Sequence, residues 1–478
     1  MRSLSAVVKA YDVRGVVPDE IDEDVARALG AAFAHVVGID DADAEPGLRK
    51  AVVAHDMRPS SPGLARAFAE GAAAQGADVV IAGLASTDGL YYASGALDAP
   101  GAMFTASHNP AQYNGIKLCR AGARPIGQDT GLAELRALGE RYLAEGVPAA
   151  SRAGRVTETD LLADYARHLR SLVDLSGSRQ LRVVVDAGNG MAGLTVPAVL
   201  GEAAGLPALP LQIEPLYFEL DGTFPNHEAN PLEPENLRDL QAAVLKHGAD
   251  LGLAFDGDAD RCFVVDERGE PVDPSAITAL VADREVAAEL ARRGSDEGPP
   301  PVVVHNLISS RAVPEVVAAA GGRAVRTRVG HSFIKAVMAQ EGAVFGGEHS
   351  AHYYFRDFWF ADTGMLAAMH VLAALGEQPL PLSRLVASYS RYAASGEINS
   401  RVDDVAGRTA AVRADLGEGA AVDRLDGLTL TVDDAEGLVW SLNLRASNTE
   451  PLLRLNVEAR DTATLERVRD RALAIIRS

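Results

Sequence analysis

The chain is 478 residues long, with 47% hydrophobic and 23% charged residues and a formal net charge of −21. This length gives room for about two to four domains, and the composition is that of a soluble globular protein. No apolar stretch approaches membrane-spanning length, the first residues lack the apolar core of a secretory signal, and the negative charge argues against nucleic-acid binding. We therefore expect a cytoplasmic protein without a membrane or nucleic-acid partner.

The cysteines and the basic residues limit the cellular compartment and the kind of ligand that we expect. Cys119 and Cys262 are the only cysteines, so the sequence offers no disulfide framework and fits a reducing compartment. Because the overall charge is negative, an anionic ligand would need local positive charge to bind against a repulsive field. The candidates for that task are Arg14, Lys117, Arg261 and Arg445.

A weak threefold repetition organises most of the chain. Each repeat has three short apolar strands, separated by Ala-rich segments that favour helix, such as residues 63–76 and 312–321. Strands joined by helices in this way form α/β sheets. The predicted strands are residues 51–56, 78–82, 102–104, 182–186, 208–211, 251–255, 302–306, 323–326 and 343–345.

The third strand of each repeat runs directly into polar residues, first at Ser107, then at residues 256–261, then at residues 348–352. Strand ends at the same sheet edge can aim such loops at one cleft. Chance recurrence of Val-rich strands is the alternative, and the equal placement of the three polar blocks argues against it.

The C-terminal region has a different pattern. Beyond about residue 397 alternating strands dominate, at residues 428–432, 438–444 and 452–457, and an amphipathic helix over 463–476 follows. Earlier in the chain, a helix-like run covers residues 157–173 at the start of the second repeat. We predict an α/β protein with three similar α/β domains followed by a smaller α+β C-terminal domain, around a central cleft. The predicted domains are residues 1–150, 151–268, 269–390 and 391–478.

Ser107 stands at the exit of the predicted strand 102–104, and Asn109-Pro110 marks a turn just beyond it. No G-x-S-x-G elbow frames this serine, so a serine hydrolase is not indicated. Lys117 follows a few residues later, which favours a hydroxyl group that handles an anion. A surface turn capped by Ser and Asn is the alternative that this segment alone leaves open.

A second polar segment, residues 256–261, places three aspartates between apolar strands and ends at Arg261. Three carboxylates this close would repel one another without a cation, and hard oxygen ligands suit Mg²⁺ or Ca²⁺. An EF-hand loop also spaces acidic residues in this way, but its sixth position requires glycine and here is Arg261. A solvated acidic turn is disfavoured by the apolar flanks.

Five segments, taken in order, resemble motifs of the α-D-phosphohexomutases, and they span nearly the whole chain. This resemblance implies three α/β domains with mixed sheets, a smaller fourth domain, and a reaction that moves a phosphoryl group between two hydroxyls of a hexose. The segments are residues 10–15, 105–110, 256–261, 347–352 and 445–451.

The resemblance assigns chemistry to residues that the patterns had already singled out. Ser107 would carry a phosphate, as covalent catalysis in two easier steps, and would donate it to form a hexose 1,6-bisphosphate. Mg²⁺ would be held by Asp256, Asp258 and Asp260 with an oxygen at Ser107. Positive charge near the moving group would come from Arg14, Lys117 and Arg261. The general acid or base is left open among His108, His331 and Lys117.

Substrate recognition is implied for two further loops. Glu348 and Ser350 would hydrogen-bond the sugar hydroxyls. A phosphate-binding loop would hold the phosphate that is not reacting, and its residues are Arg445, Ser447, Asn448 and Thr449.

The sequence departs from the family pattern at two places, and the first of them bears on specificity. His349 and Ala351 stand where Met and Gly are more usual, yet the loop is still most similar to the mannose/glucose branch. We expect mannose phosphate as the first-choice substrate and glucose phosphate as the second. No match appears near residues 306–311 for a lysine that many relatives use. A non-catalytic sugar-phosphate sensor is the remaining alternative, and the intact Ser107 argues against it.

Overall fold

The computed structural model describes residues 3–39, 49–294, 298–446 and 452–478. The chain forms two compact units. The first unit comprises Met1–Val272 and Ser350–Ser383, and the second comprises Asp273–His349 and Arg384–Ser478. Within the described residues, no helix is both long enough and apolar enough to cross a membrane.

The first unit begins with an α/β domain built on a seven-stranded mixed sheet in the order β1-β5-β4-β2-β3-β7, with β6 paired to β5. Helices α1 and α2 pack closely because glycines lie at their contact: a Cβ on Gly30 would come within 2.0 Å of the Phe68 carbonyl oxygen. The elements are β1 Val13–Val16, α1 Glu23–Val36, β2 Lys50–His55, α2 Ser61–Ala74, β3 Asp78–Leu84, α3 Thr87–Leu97, β4 Gly101–Phe104, β5 Tyr113–Arg120, β6 Arg124–Pro125, α4 Leu132–Glu145 and β7 Val156–Glu158.

The second α/β sheet of this unit has the order β9-β8-β10-β11-β12, with β8 parallel to both neighbours and β11 antiparallel to β10. Its elements are α5 Leu162–Leu172, β8 Leu181–Asp186, α6 Ala192–Val199, β9 Leu211–Leu216, α7 Arg238–His247, β10 Leu251–Phe255, β11 Cys262–Asp266 and β12 Pro271–Val272.

Two predicted elements in this region were misplaced. Strand β9 starts where the predicted strand 208–211 ends, because Pro207 and Pro210 have no N–H group to donate to the sheet. The predicted helix over 157–173 starts only at Leu162, since residues 156–158 instead pair with β3 as β7.

The second unit opens with three parallel strands in the order β14-β13-β15. Strand β15 begins at Phe345, two residues after the predicted start at residue 343. The first hydrogen bond to the neighbouring strand is made at Val344, whose N–H donates to the Val302 carbonyl, so residue 343 lies before the paired region. The elements are α8 Pro274–Arg293, β13 Val302–Asn306, α9 Ala312–Ala319, β14 Arg323–Thr327, α10 His331–Glu341 and β15 Phe345–Gly347.

The chain then contributes a hairpin and a fully buried helix to the first unit, and a short helix follows. These elements are β16 Tyr353–Phe355, β17 Ala361–Asp362, α11 Gly364–Gly376 and α12 Leu382–Val386.

The C-terminal domain, in the second unit, is an antiparallel sheet in the order β18-β22-β21-β20-β19. Helices α13 and α14 cover one face and bury alternate apolar residues such as Leu442 and Leu455. The elements are β18 Ala393–Arg401, α13 Val405–Leu416, β19 Ala421–Asp423, β20 Leu428–Asp434, β21 Gly437–Ala446, β22 Leu452–Ala459 and α14 Thr462–Ile476. The predicted class, three α/β domains and a smaller α+β domain, is confirmed.

Candidate active site

Ser107 lies in the loop after β4 and is nearly buried, with 5% of its surface exposed. Its backbone adopts a left-handed conformation with φ of 49°, which is uncommon for a residue with a side chain. Its N–H donates to Thr105 Oγ1 at 2.9 Å, and its Oγ donates to Asp256 Oδ2 at 2.8 Å. The loop therefore directs the serine hydroxyl at the aspartate cluster.

Arg58 binds the main chain of this loop through hydrogen bonds. It was not identified from the sequence. Its side chain is fully buried, and its guanidinium donates to the carbonyl oxygens of Ser107, Asn109, Pro110 and Tyr113 at 2.6–3.0 Å. Its Nε lies 3.3 Å from Asp56 Oδ2. A buried charge needs such partners, so Arg58 and the loop stabilise each other's positions.

The three aspartates lie in the turn between β10 and β11, and all are buried, with exposures of 0–1%. One carboxylate oxygen from each lies within 4.8 Å of the others, which is the spacing of a shared metal site. Arg261 closes the turn, because its backbone N–H donates to Asp256 Oδ1 and its Nε donates to Asp256 Oδ2 at 2.9 Å.

Lys117 reaches the cluster from β5. Its Nζ donates to Asp258 Oδ2 at 2.6 Å and to Asp260 Oδ2 at 2.5 Å. Strand β5 is paired with β4 in antiparallel register, so the fold places Lys117 beside the serine loop as well as beside the aspartates.

The charges in this site shift one another's pKa values. Burial raises the pKa of Asp256 to about 7, although Arg261 opposes the shift. Burial would also raise the pKa of Asp258 and Asp260, but the Lys117 charge lowers both below their usual value. Burial works against the charge of Lys117 too, yet the two carboxylates raise its pKa, so it stays protonated.

The cluster has the properties of a divalent-cation site. Asp258 Oδ1 and Asp260 Oδ1 are buried, and neither accepts a hydrogen bond from any described residue. Leaving such oxygens without a partner is costly, and a hard cation would satisfy them. Three carboxylates also outnumber the two cations, Lys117 and Arg261, and a phosphate on Ser107 would add about 1.5–2 further negative charges. The residues present therefore fit Mg²⁺.

His108 and Arg14 complete the serine loop. His108 Nδ1 accepts from Arg261 Nη2 at 2.6 Å and lies 3.2 Å from Ser107 Oγ. Burial and the Arg261 charge lower the pKa of His108 to about 2, so its imidazole is neutral. Arg14 donates to Asn109 Oδ1 at 2.7 Å, which places a second guanidinium at the loop.

The N-terminus of α3 adds two residues that the sequence analysis missed. Thr87 Oγ1 donates to Asp258 Oδ2 at 2.6 Å, and Thr87 N–H donates to the Asp258 carbonyl at 3.0 Å. The neighbouring Asp88 is fully buried and accepts from Tyr165 at 2.7 Å and from Thr363 at 2.6 Å. Burial raises its pKa to about 6. The sequence signal that could have drawn attention to them is Ser86-Thr87-Asp88, a run of residues that favour a helix N-terminus.

Residues 350–362 bring a further group to the aspartates. Ser350 Oγ lies 3.0 Å from His352 Nδ1, and His352 Nε2 lies 3.8 Å from Asp260 Oδ1. His352 and the buried Asp362 form, with Asp260, a second group of possible metal ligands. His352 was part of the segment that resembled the family, but no role was predicted for it.

The other predicted site residues belong to the second unit. Glu348 is 2% exposed, and its Oε1 accepts from Asn306 Nδ2 and from Gly330 N–H, both at 3.2 Å. His331 begins α10, and its side chain lies outside the described part of the chain. Lys335, on the same helix, is buried and was not considered in the sequence analysis.

Of the four residues predicted to bind the non-reacting phosphate, the structure describes only Arg445. Arg445, at the end of β21, donates from Nη2 to Glu397 Oε2 at 2.9 Å. Ser447, Asn448 and Thr449 fall in the segment 447–451, outside the described residues.

Comparison with known proteins extends over all four domains. Family models described as phosphoglucomutase/phosphomannomutase match residues 5–141 (alpha/beta/alpha domain I), 163–269 (domain II), 273–392 (domain III) and 397–475 (C-terminal domain).

Individual relatives agree along the whole length. The chain is 41% identical over 470 residues to a protein of Xanthomonas campestris named "Phosphohexose mutases", covering 98% of each chain. It is 39% identical over 468 residues to a phosphomannomutase of Salmonella typhimurium, covering 97% of each. A solved structure of a Burkholderia thailandensis phosphoglucomutase/phosphomannomutase family protein superposes with a TM-score of 0.83 at 30% identity, covering 100% of this chain and 98% of that one. The chain belongs to the phosphoglucomutase/phosphomannomutase family.

Proposed function

We propose that this protein is a phosphomannomutase that interconverts mannose 6-phosphate and mannose 1-phosphate through a phosphoserine at Ser107. The observation that carries the proposal is the hydrogen bond from Ser107 Oγ to a buried cluster of three aspartates that also holds Lys117. The relatives from Salmonella typhimurium and Escherichia coli are named phosphomannomutases, which supports the choice of mannose phosphate.

The reaction divides into two phosphoryl transfers. In the first, a free hydroxyl of the hexose monophosphate attacks the phosphorus, the bond from phosphorus to Ser107 Oγ breaks, and a hexose 1,6-bisphosphate forms. In the second, Ser107 Oγ attacks the other phosphate of that intermediate, and the isomeric monophosphate leaves. Each attack releases a hydroxyl proton to a general base, and the same group returns a proton to the oxygen that leaves.

The residues around Ser107 have distinct tasks in this scheme. Lys117 and Arg261 supply fixed positive charge where the transferred group gains negative charge. Because Lys117 is held protonated by two carboxylates, its task is electrostatic rather than that of a base. Asp256, Asp258 and Asp260 would hold Mg²⁺, which neutralises phosphoryl charge when bound. His108, a neutral imidazole, and His331 remain the candidates for the proton transfer.

Substrate contacts follow the assignments made from the sequence. Glu348 and Ser350 would bind neighbouring sugar hydroxyls, and the loop from Arg445 to Thr449 would bind the phosphate that is not reacting. Hexose phosphates are thus the proposed ligands, and we place the enzyme in the cytoplasm.

The deciding experiment compares kcat/KM for mannose 1-phosphate and glucose 1-phosphate, with the protein's phosphate content mapped by mass spectrometry. We expect one phosphoryl group on Ser107 and a higher kcat/KM for the mannose compound. A higher value for glucose 1-phosphate would make the protein a phosphoglucomutase, and similar values would make it an enzyme of dual specificity. Ser107→Ala should lose the phosphate and most of the activity. Near wild-type turnover by Ser107→Ala would refute the covalent mechanism, and lack of turnover by the wild type would make it a sugar-phosphate-binding protein.

A further inference from the structure

The antiparallel sheet of the C-terminal domain has one polar face. Leu442, Leu444, Leu453 and Leu455 point into the core beneath the helices, so the residues between them lie on the opposite face. On that face the register pairs Asn443 with Asn456 and Arg445 with Arg454. Arg454 thus stands directly across from the arginine of the predicted phosphate-binding loop.

One carboxylate joins the two arginines. Glu397, on β18, accepts from Arg445 Nη2 at 2.9 Å through Oε2 and from Arg454 Nη1 at 3.0 Å through Oε1. The triad has two positive charges and one negative charge, so it keeps a net positive charge within a protein of net charge −21. The side chains of Arg445 and Arg454 remain 14% and 29% exposed, so neither is fully enclosed by the protein.

Hydrogen-bond donors on this face lack acceptors. Arg445 Nε, Arg454 Nε and Asn456 Nδ2 are buried atoms without a hydrogen-bond partner among the described residues. Asn443 Oδ1, an acceptor on the same face, is also buried without a partner among the described residues. Buried donors are normally paired, and the three donors outnumber this acceptor, so an acceptor-rich group fits the patch. A phosphate dianion offers several acceptor oxygens and suits the planar fork of arginine.

The surface next to the arginine pair is concave. Asn443 and Asn456 line a small cleft, whose other wall includes Ser309 and His349. Asn443 and Asn456 are the next pair on this face after Arg445 and Arg454, so the arginine pair lies beside this cleft.

We propose that Arg454 binds the non-reacting phosphate of the hexose phosphate together with Arg445, and that Glu397 holds the two guanidinium groups as a pair. The inference rests on the proposed mutase function and adds to it a residue that lies outside the recognised loop. Arg454 makes no bond to the reacting groups in this scheme, so it affects substrate binding and leaves the chemical step unchanged.

The test is steady-state kinetics of Arg454→Gln and Arg454→Lys with mannose 1-phosphate and mannose 6-phosphate. Loss of a charge-assisted hydrogen bond should raise KM about tenfold or more for both substrates in Arg454→Gln. Arg454→Lys should show a smaller rise, because it keeps the charge and loses the fork. In both variants kcat should stay within about twofold of wild type, and Ser107 should remain phosphorylated.

The matched control is Arg460→Gln. Arg460 directly follows β22, the strand that contains Arg454, and is likewise paired with carboxylates, at 2.7 Å from Asp434 and 3.7 Å from Glu436, but it is not part of the Glu397 triad. Its KM values should not change. A purely structural triad would lower the melting temperature of Arg454→Gln and leave both KM values within about twofold of wild type, and that result would overturn the inference.

A folding defect would not obscure the answer. If Arg454→Gln does not fold, Arg454→Lys is measured instead. In that variant, KM values equal to those of the wild type, together with the same protection by inorganic phosphate against thermal unfolding, would again refute the role of Arg454. Wild-type activity and Ser107 phosphorylation test the mutase function separately, so failure of the Arg454 inference leaves that function standing.

Discussion

Thr87 offers a sharp test of the metal site, because its hydroxyl can be removed without changing its shape. Thr87→Val replaces Oγ1 with a methyl group of similar size, while the backbone bond from Thr87 N–H to the Asp258 carbonyl is kept. The lost bond, 2.6 Å long between two fully buried groups, ends on a carboxylate. Such bonds contribute about 1.5–3 kcal/mol.

The expected effect is a lower Mg²⁺ affinity, because the bond from Thr87 orients the Asp258 carboxylate. Asp258 Oδ2 is held by Thr87 and Lys117, which leaves Asp258 Oδ1 free of hydrogen bonds and directed to the cluster. Without Thr87 the carboxylate can rotate, and loss of such supporting bonds typically lowers metal affinity 10- to 100-fold. We expect the Mg²⁺ concentration for half-maximal activity to rise about tenfold, with kcat at saturating Mg²⁺ nearly unchanged.

The assay is an activity titration with Mg²⁺ in metal-buffered solution. Thr87→Ser should restore the wild-type midpoint, because it keeps the hydroxyl. Ser94→Ala is the control, since Ser94 is a buried hydroxyl on the same helix that donates to the Ala99 carbonyl at 2.7 Å. If Thr87→Val shows the wild-type midpoint, the orienting role is wrong.

Three further perturbations address the same unit. Chelation should abolish turnover reversibly, and Asp258→Ala should lose most activity at any Mg²⁺ concentration while remaining folded; full activity at zero metal content would contradict the metal site. Arg58→Met leaves Asp56 and the loop carbonyls without their partner, so denaturant unfolding should show a loss of about 3–5 kcal/mol, and an unchanged midpoint would contradict the buried pair. Burial raises the pKa of Asp88 from 3.8 to about 6, so its neutral form stabilises the fold at low pH and that contribution is lost as pH rises through about 6. The melting temperature of Asp88→Asn relative to wild type should therefore increase between about pH 4 and about pH 7, and a constant difference would refute the shift.

The sequence predicted those parts of the site that depend on local pattern. Ser107 and the three aspartates follow short apolar strands, and both the strands and the polar turns can be recognised within about ten residues. Arg58 could not be recognised in this way, because its partners are main-chain carbonyls about fifty positions away, and any residue type could supply them. Its pairing depends on β2 and β4 lying side by side, which follows from the tertiary fold.

The predicted position of the strand at residues 208–211 was wrong for an equally specific reason. Apolar residues at 208–211 favoured a strand, but a strand needs N–H donors as well as apolar side chains, and Pro207 and Pro210 interrupt that supply. Asp88 was missed because its hydroxyl partners, Tyr165 on α5 and Thr363 just before α11, are distant in sequence, so this buried carboxylate has no local signature.

The way in which Arg58 holds the serine loop has a consequence for the proposed phosphoserine mechanism. In that mechanism a phosphate on Ser107 would change the charge at Oγ by about two units, and its transfer would remove that charge again. The bonds from Arg58 end on carbonyl oxygens of Ser107, Asn109, Pro110 and Tyr113, not on the group that changes. The bonds that hold the loop backbone therefore do not depend on whether Ser107 carries a phosphate, so we expect the loop to keep the same backbone geometry in the phosphorylated and the free enzyme.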